Sequence, residues 1–322
     1  LRCGDRWRRA GRQFDRLLPF GQSGFHGPRR RRGARPLLYR VLVVAFDGWN
    51  DAGEAASAAL RVLRDAQPYE RVFSVDPELY FDYQYNRPTI GMDAEGRRVL
   101  KWPEAAVLRP QRRTRGVQLW LLSGVEPSRA WQSFAQELID VALRQDITGI
   151  VALGSMLADV PHTRPITIQA GSESETLREA MALDRSTYEG PVGILSVLGA
   201  AAEEAGIPMA SLWASVPHYV AGHAPSPKAT LALLDRLEDL AGAQLPRADL
   251  ARDAAVWEAN IDAAAAEDDE MAEYIHQLER TRDMVDSPEA SGDAIADAFE
   301  RYLRRDGGDG SGRPGRGSAP RG

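Results

Sequence analysis

Residues 41–54 read VLVVAFDGWNDAGE, and this stretch decides the fold of the chain. The six apolar residues from Val41 to Phe46 predict a strand that is buried on both faces. A Gly-containing turn follows, and the Ala-rich segment after Gly53 predicts a helix. A buried strand that leads through a turn into a helix is typical of the parallel sheets of α/β proteins. Because many such loops hold a phosphate, the sequence has to be tested for that chemistry first.

The loop lacks the cation that a phosphate-binding loop carries. Gly48 and Gly53 have the right spacing, but Glu54 stands where the lysine would follow. Asp47, Asp51 and Glu54 surround the start of the helix with carboxylates, which satisfy free N–H groups and repel a phosphate. We therefore predict a self-capped helix, with a site for a cation, hydroxyls or an amine as the alternative.

Composition restricts the class of protein. With 322 residues, 43% of them hydrophobic, the chain can bury a sizeable core, and no apolar run approaches the roughly 20 residues of a membrane helix. The single cysteine, Cys3, excludes an internal disulfide and a thiolate metal cluster, so we predict a cytoplasmic protein. Lys101 and Lys228 are the only lysines beside abundant arginine, which favours a high-G+C bacterial genome.

The net charge of −6 combines two unlike regions. Residues 1–36 carry eleven Arg against two Asp, a net of +9, which leaves −15 for residues 37–322. An acidic body does not attract nucleic acid or an anionic membrane surface. The basic arm has little apolar periodicity, so we expect residues 1–36 to be disordered and to be sequence translated in addition to the protein proper. The alternative is a tail that binds nucleic acid.

Strand-like runs recur along the chain, with helix-like segments between several of them. They cover residues 37–46, 70–75, 97–102, 117–123, 149–154, 192–198 and 209–216. In residues 129–145 one apolar stripe repeats at steps of three and four, which predicts a helix that covers a sheet face. The alternation predicts an α/β fold: a three-layer α/β/α sandwich with a mostly parallel central sheet, followed by a C-terminal helical extension.

The last third of the chain consists of helix formers. Ser226 as N-cap, Pro227 at the first helical position and Gly242 after the end predict a helix over 227–241. Residues 250–285 then keep a 3.5-residue apolar repeat, which predicts a long helix or a helix pair packed on another helix of this chain or on another subunit. The repeat is weakest at Asp268, where we expect a bend or a break.

These patterns divide the chain into four parts. We predict a disordered arm over 1–36, an α/β/α core domain over 37–225, a helical region over 226–305 that ends in a short helix near residue 304, and a disordered Gly-rich tail over 306–322.

Polar side chains follow three of the predicted strands. The carboxyl ends of parallel strands meet at one edge of a sheet, where ligands bind. The candidate pocket at this edge consists of Asp47, Trp49, Asn50, Asp51, Ser155, His162, Thr163 and His218. Two His and two Asp suit a metal or an acid/base pair, but no HExxH or GxSxG motif accompanies them. In the structural interpretation each His bonds a backbone carbonyl, and we assign no catalytic residue, metal or cofactor.

Residues 76–83, followed by Arg87-Pro88, form an aromatic-rich segment after a strand. Several exposed tyrosines in a loop are typical of a contact surface, so we predict a pocket lining or a subunit interface there.

Five segments carry a resemblance to a known family. They are FDGWNDAGEAA at 46–56, SVDPELYFDYQYNRP at 74–88, GSMLADVPHTRP at 154–165, YEGPVGILSVL at 188–198 and LWASVPHYVA at 212–221. In this order they resemble the actinobacterial branch of the proteasome assembly chaperone 2 (PAC2-like) family, over about residues 37–305. The resemblance implies a sandwich similar to nucleoside phosphorylases and hydrolases, and a homo-oligomer, for example a trimer. The family has no agreed catalytic set.

The resemblance also implies a function. Eukaryotic and archaeal relatives bind the proteasome α-ring and present a C-terminal hydrophobic-Tyr-any tail. This chain differs, because it ends Pro320-Arg321-Gly322 and because Phe299 and Tyr302 fall within a predicted helix. We expect a non-enzymatic assembly protein that binds copies of itself and proteasome subunits. We expect no binding of nucleic acid through its core domain. The alternative is a small-molecule binder or hydrolase-type enzyme whose strand-end pocket takes a nucleoside-like or other polar ligand.

Overall fold

The computed structural model describes residues 38–112 and 116–287. The predictions for the basic arm, for the short helix near residue 304 and for the Gly-rich tail lie outside these residues and stay predictions. Within the described ranges no helix is both long and apolar enough to cross a membrane.

A seven-stranded sheet forms the centre of the fold. Its strands are β1 (Arg40–Asp47), β2 (Tyr69–Ser74), β5 (Ala105–Pro110), β6 (Gln118–Val125), β7 (Gly149–Ala158), β8 (Ile168–Ser172) and β9 (Met209–Pro217). Their order across the sheet is β2-β5-β6-β1-β7-β9-β8. The four central strands, β6, β1, β7 and β9, are parallel, while β5 is antiparallel to both of its neighbours and β8 is antiparallel to β9. A separate hairpin consists of β3 (Thr89–Met92) and β4 (Arg98–Lys101).

Eight α-helices accompany the strands in the described part of the chain. They are α1 (Ala55–Asp65), α2 (Pro77–Tyr80), α3 (Trp131–Arg144), α4 (Glu175–Met181), α5 (Ile194–Glu204), α6 (Pro227–Ala241), α7 (Leu250–Ala265) and α8 (Asp269–Asp286).

The alternation of side chains along β1 divides the core in two. Val41, Val43 and Ala45 lie on one face with residues of α1 and α6, and Leu42 and Val44 lie on the other with residues of α3 and α5. Successive side chains of a strand point to opposite faces, so a continuous apolar run is needed where both faces are covered. The three-layer arrangement with a mostly parallel sheet is as the sequence predicts.

Two of the predicted strands are placed differently. The prediction for 192–198 is wrong, because α5 begins at Ile194 with Gly193 as its N-cap. A short apolar run fits a buried strand and a buried helix equally well, and the Ala-rich continuation decides for the helix. The run 97–102 lies in the β3–β4 hairpin rather than in the central sheet. The short strands β3, β5 and β8 were not predicted.

The C-terminal helices follow the cap and repeat signals. Helix α6 has the predicted bounds, and Gly242 after it takes the left-handed conformation with φ 61°. Ser226 stands at the predicted N-cap position, but its side chain makes no capping hydrogen bond. The repeat forms a helix pair that breaks at Asp268, whose carboxylate accepts the backbone N–H groups of Glu270 and Met271. Trp257 belongs to the same core cluster as α6, so another helix of this chain covers the α7 part of the repeat.

The aromatic segment is partly buried and partly exposed, and the predicted contact surface stays a prediction. Tyr80 and Phe81 lie in the core, and the ring of Tyr80 packs edge-on against Phe134 with centroids 5.2 Å apart. Aromatic rings of this size usually anchor a core when a neighbouring helix can cover them. Of the predicted surface tyrosines, Tyr85 is strongly exposed.

Candidate functional site

The eight predicted pocket residues fall into two groups at the carboxyl ends of the strands. Asp47, Trp49, Asn50, Asp51 and Ser155 surround the ends of β1 and β7. The other group, His162, Thr163 and His218, contacts the C-terminal helices.

Asp51 caps α1, as the sequence predicts. Its Oδ1 accepts the backbone N–H groups of Ala56 at 2.8 Å and Ser57 at 3.2 Å. The side chain is buried, and burial raises the pKa of Asp51, while the hydrogen bonds from Ser57 and Ala56 act in the opposite direction. The carboxylate thus occupies the helix N-terminus that a phosphate would otherwise use.

Asn50 and Ser155 join the loop after β1 to β7. The Ser155 N–H donates to the carbonyl of Asn50 at 2.8 Å, and the Ser155 hydroxyl donates to the carbonyl of Ala52 at 2.8 Å. Both side chains are buried. These bonds continue the strand pairing beyond the regular ladder and fix the path of the loop.

Glu126, which the sequence did not single out, organises the other helix N-terminus at this edge. Its Oε1 accepts the backbone N–H of Ile194 and the side-chain amide of Asn50, both at 2.9 Å. Gly193 lies against this amide, and a Cβ at that position would collide with the Asn50 side chain. A carboxylate of the chain itself therefore occupies the start of α5 as well. The one available signal was the position of Glu126 directly after β6.

Asp47 and Trp49 remain at the surface. Both residues are exposed. Burial of the Asp47 carboxyl nevertheless raises its pKa, against the charge of Arg61 and a hydrogen bond with Ser57. The structure therefore brings Asn50, Asp51 and Ser155 into one hydrogen-bonded unit, which Asp47 joins through Ser57, and leaves Trp49 outside it.

His162 is fully buried and has partners on both ring nitrogens. Its Nδ1 lies 2.8 Å from the Tyr219 hydroxyl, which also accepts the His162 backbone N–H at 2.7 Å, and its Nε2 lies 3.0 Å from Asp262 Oδ1. A carboxylate only accepts, so Asp262 takes the N–H of Nε2, and the tautomer with that proton leaves Nδ1 to accept the tyrosine O–H. Burial raises the pKa of Tyr219, which keeps this hydroxyl protonated. We call His162, Tyr219, Lys228, Glu258 and Asp262 the His162 cluster.

The rest of this cluster connects the strand ends to α6 and α7. The Lys228 ammonium donates to the His162 carbonyl and to Glu258 of α7. Asp262 also belongs to α7, so the cluster joins the loop after β7 to two successive helices. Such a fully bonded polar network fixes the mutual position of its elements.

Thr163 and His218 make similar links to α8. The Thr163 hydroxyl donates to Glu279, and the ring of His218 packs edge-on against Tyr274 with centroids 5.5 Å apart. His218 Nδ1 lies 2.9 Å from Asp159 Oδ1, an ion-pair distance without hydrogen-bond alignment. The structural interpretation predicted that each His ring bonds a backbone carbonyl. Neither ring does so, and that prediction is wrong.

An apolar cleft of about 770 Å³ lies next to the His162 cluster, and we call it the α7 cleft. It is bounded by α7, by the start of α6 and by the loop 219–225, and Val256, Trp257 and Ile261 are among its lining residues. None of the eight predicted pocket residues lines it. Among the described residues, no group of three His, Cys, Asp or Glu side chains is placed to hold a metal ion.

Comparisons with known proteins agree on one family. The model of the PAC2 family matches residues 45–265. A PAC2 family protein from Streptomyces avermitilis is 43% identical, with a TM-score of 0.68, over 73% of this chain and 99% of that protein. The proteasome-assembly chaperone homologue of Mycobacterium tuberculosis is 41% identical, with a TM-score of 0.66, over 73% of this chain and 99% of that protein.

A more distant structure shares only the fold. PbaB of Pyrococcus furiosus, an archaeal proteasome activator, is 15% identical with a TM-score of 0.55, over 72% of this chain and 96% of that protein. A search among curated proteins gives no match.

Proposed function

Because the chain belongs to the PAC2 family, we propose that it is a non-enzymatic assembly protein whose partners are proteasome α-subunits. The 41% identity to a protein named as a proteasome-assembly chaperone homologue supports this assignment. The resemblance also supports a homo-oligomer, and the single cysteine of the chain suits a reducing cytoplasm.

The observation that carries this proposal is that the polar groups at the strand ends bind other groups of the same chain. Asp51 and Glu126 bind helix N-termini, Ser155 binds a carbonyl, and His162 is bonded on both ring nitrogens. In an enzyme, such groups point into a cavity where a reacting atom can sit. Here they fix the loops after β1, β6 and β7, which supports a structural role for these groups.

The geometry supports a ligand-binding function less well than an assembly function. The α7 cleft is wide enough for a small molecule, since pockets of roughly 300–1,000 Å³ hold drug-sized ligands. Its lining is mainly apolar and offers few of the convergent polar groups that a nucleoside would need. Fold similarity to phosphorylases and hydrolases is not evidence of their chemistry.

The test is direct binding between purified components. The full chain and the proteasome α-subunits of the same organism are mixed and separated by size exclusion with light scattering. We expect a peak that contains both proteins in a fixed ratio. Separate elution of the two proteins at micromolar concentrations would contradict the proposal.

The matched controls separate a scaffold from a catalytic site. Asp51→Asn keeps an acceptor oxygen for the Ala56 and Ser57 N–H groups and removes the charge, so we expect binding to remain. A binding function that depended on the Asp51 carboxylate as a ligand would be lost in this variant.

A further inference from the structure

The β3–β4 hairpin and the residue after it expose four large apolar side chains. The register places Ile90 opposite Leu100 and puts Met92 on the same face. Trp102 follows directly after β4, and its ring packs against Tyr83 with centroids 4.9 Å apart. Their exposed fractions are 57% for Ile90, 56% for Leu100, 64% for Met92 and 46% for Trp102. We call these four side chains the hairpin face.

Such a face is unusual on an isolated hairpin. The hairpin pairs with no strand of the central sheet, and a two-stranded hairpin alone in water is marginally stable. Contiguous exposed apolar side chains of this size mark an interaction site. The hairpin face is therefore a surface that a partner covers.

The α7 cleft is a second apolar surface that is open to solvent. Val256 lines it and is 53% exposed, beside the buried ring of Trp257. Its volume of about 770 Å³ can accept several large side chains. Each copy of the chain thus carries one projecting and one concave apolar surface.

The charges at the two surfaces are opposite. Arg98 stands opposite Met92, on the same side of the hairpin as the hairpin face, and it forms no ion pair within the described ranges. Glu267, Asp269 and Glu270 at the junction of α7 and α8 form none there either. This junction borders the cleft, whose lining includes Ala265 and Met271. Complementary charges at the rim guide two surfaces together and fix their register.

The hairpin face does not fill the cleft of its own copy. None of its four side chains lines the cleft, and all four are exposed. Within one copy both surfaces are therefore open, and the cleft that receives the hairpin face belongs to another copy.

We propose that the hairpin face of one copy binds in the α7 cleft of a second copy. The contact joins two different surfaces, so it is heterologous, and successive contacts close a ring or extend a chain. This inference rests on the homo-oligomer proposed above and names its contact. It does not depend on the identity of the proteasome partner.

Mass measurements on single variants give the first test. Ile90→Glu places an anion against the acidic rim, and Val256→Arg places a cation against the basic hairpin, and both positions are exposed enough to leave the fold intact. By light scattering we expect each variant to fall to the 35.4 kDa of one chain, while Leu143→Asp, at a half-exposed position on α3, keeps the mass of the unchanged protein. A monomeric unchanged protein, or an unaltered mass for Val256→Arg, would overturn the proposal.

Mixing the two variants tests the heterologous geometry. The Val256→Arg protein keeps an intact hairpin and the Ile90→Glu protein keeps an intact cleft, so an equimolar mixture should recover at least twice the mass of one chain. A hairpin-to-hairpin contact would not be restored by mixing, and a mixture that stays at the mass of one chain refutes the head-to-tail contact.

Cross-linking distinguishes the same alternatives without disrupting the contact. In a Cys3→Ser background, Met92→Cys and Val256→Cys proteins with different tags are mixed under oxidising conditions. We expect disulfides that join the two tags, and disulfides that join only Met92→Cys chains to one another would overturn the proposal. Binding of α-subunits, measured separately on these variants, shows whether the proposed function persists when self-assembly fails.

Discussion

Tyr219 supplies one hydroxyl to two groups of the buried His162, its backbone N–H and its ring Nδ1. Removal of this hydroxyl leaves a buried donor and a buried acceptor without partners, at a cost of about 1–3 kcal/mol for an unsatisfied group. We therefore expect Tyr219→Phe to lower the free energy of unfolding, measured by urea titration, by that amount. Tyr85→Phe is the control because the Tyr85 side chain is strongly exposed, and it should change little. Equal loss in both variants would contradict the bonding described for His162.

Asp51 makes a second prediction for a single residue. Loss of a side-chain acceptor that caps a helix N-terminus costs about 1 kcal/mol, and the bonds to Ala56 and Ser57 are both buried. We expect Asp51→Ala to lower the free energy of unfolding by about 1–2 kcal/mol, whereas Asp51→Asn retains most of the stability. The same denaturation measurement checks both, and an Asp51→Ala protein as stable as the unchanged one would show that the cap contributes nothing.

The residue roles differ in how far the sequence could predict them. Asp51 acts within its own helix start, so the local cap rules were enough. His162 bonds Asp262, which is 100 positions away, and no spacing rule connects a strand end to a helix that follows five further elements. Glu126 was missed for the same reason, because its partners Asn50 and Ile194 come from opposite directions along the chain.

At the scale of elements, α7 is part of the subunit core through Trp257. Truncation of a buried Trp costs about 3–5 kcal/mol, and the lower end applies here because the indole N–H has no partner among the described residues. We expect Trp257→Ala to lower the free energy of unfolding by about 3 kcal/mol. The adjacent Val256→Ala, at a half-exposed position, should cost far less. If urea titrations gave a similar decrease in the free energy of unfolding for the two variants, the apolar repeat of α7 would lie outside the core.

The attachment of α8 should depend on pH. The hydrogen bond from Thr163 and then that from His276 hold the pKa of Glu279 below its usual range, against burial. A lowered pKa means that the stabilisation is present above the ordinary carboxyl pKa of about 4.3 and is lost as the pH falls through the folded-state value. We expect Glu279→Gln to be less stable than the unchanged protein at neutral pH by about 1 kcal/mol, with the difference shrinking in acid.

A control on the same helix checks this assignment. Glu273 pairs with Arg280 at the surface of α8, where both side chains are exposed and ion pairs contribute little. Glu273→Gln should therefore match the unchanged protein across the pH range. A pH-independent difference for Glu279→Gln would show that shape rather than charge holds the helix.

Prediction of the elements succeeded where the pattern was long. The apolar stripe of α3 and the segment between the start and stop signals of α6 each span three to four turns. A helical period of that length fits hardly any structure other than a helix. The error at α5 came from a short apolar run in which Ile194, Leu195 and Leu198 fit either structure. The strand β8 lies at the sheet edge with partly buried residues, so it lacks the strong alternation that marks a strand.

At the scale of the whole molecule, the C-terminal helices and the sheet form one connected structure. The His162 cluster and the contact from Thr163 to Glu279 join the ends of β7 and β9 to α6, α7 and α8. The loops at the carboxyl ends of the strands are thereby held by groups of the chain itself. Among the described residues, the hairpin face and the α7 cleft are two apolar surfaces that stay open to a partner.

The most direct test of an assembly function is the time course of proteasome formation. Separately purified α- and β-subunits of the same organism are mixed with and without the full chain, and complete proteasomes are quantified on native gels. The account predicts a faster rise or a higher yield with the chain present, together with an intermediate that contains the chain and α-subunits. An identical time course, with the chain absent from every intermediate, would contradict it.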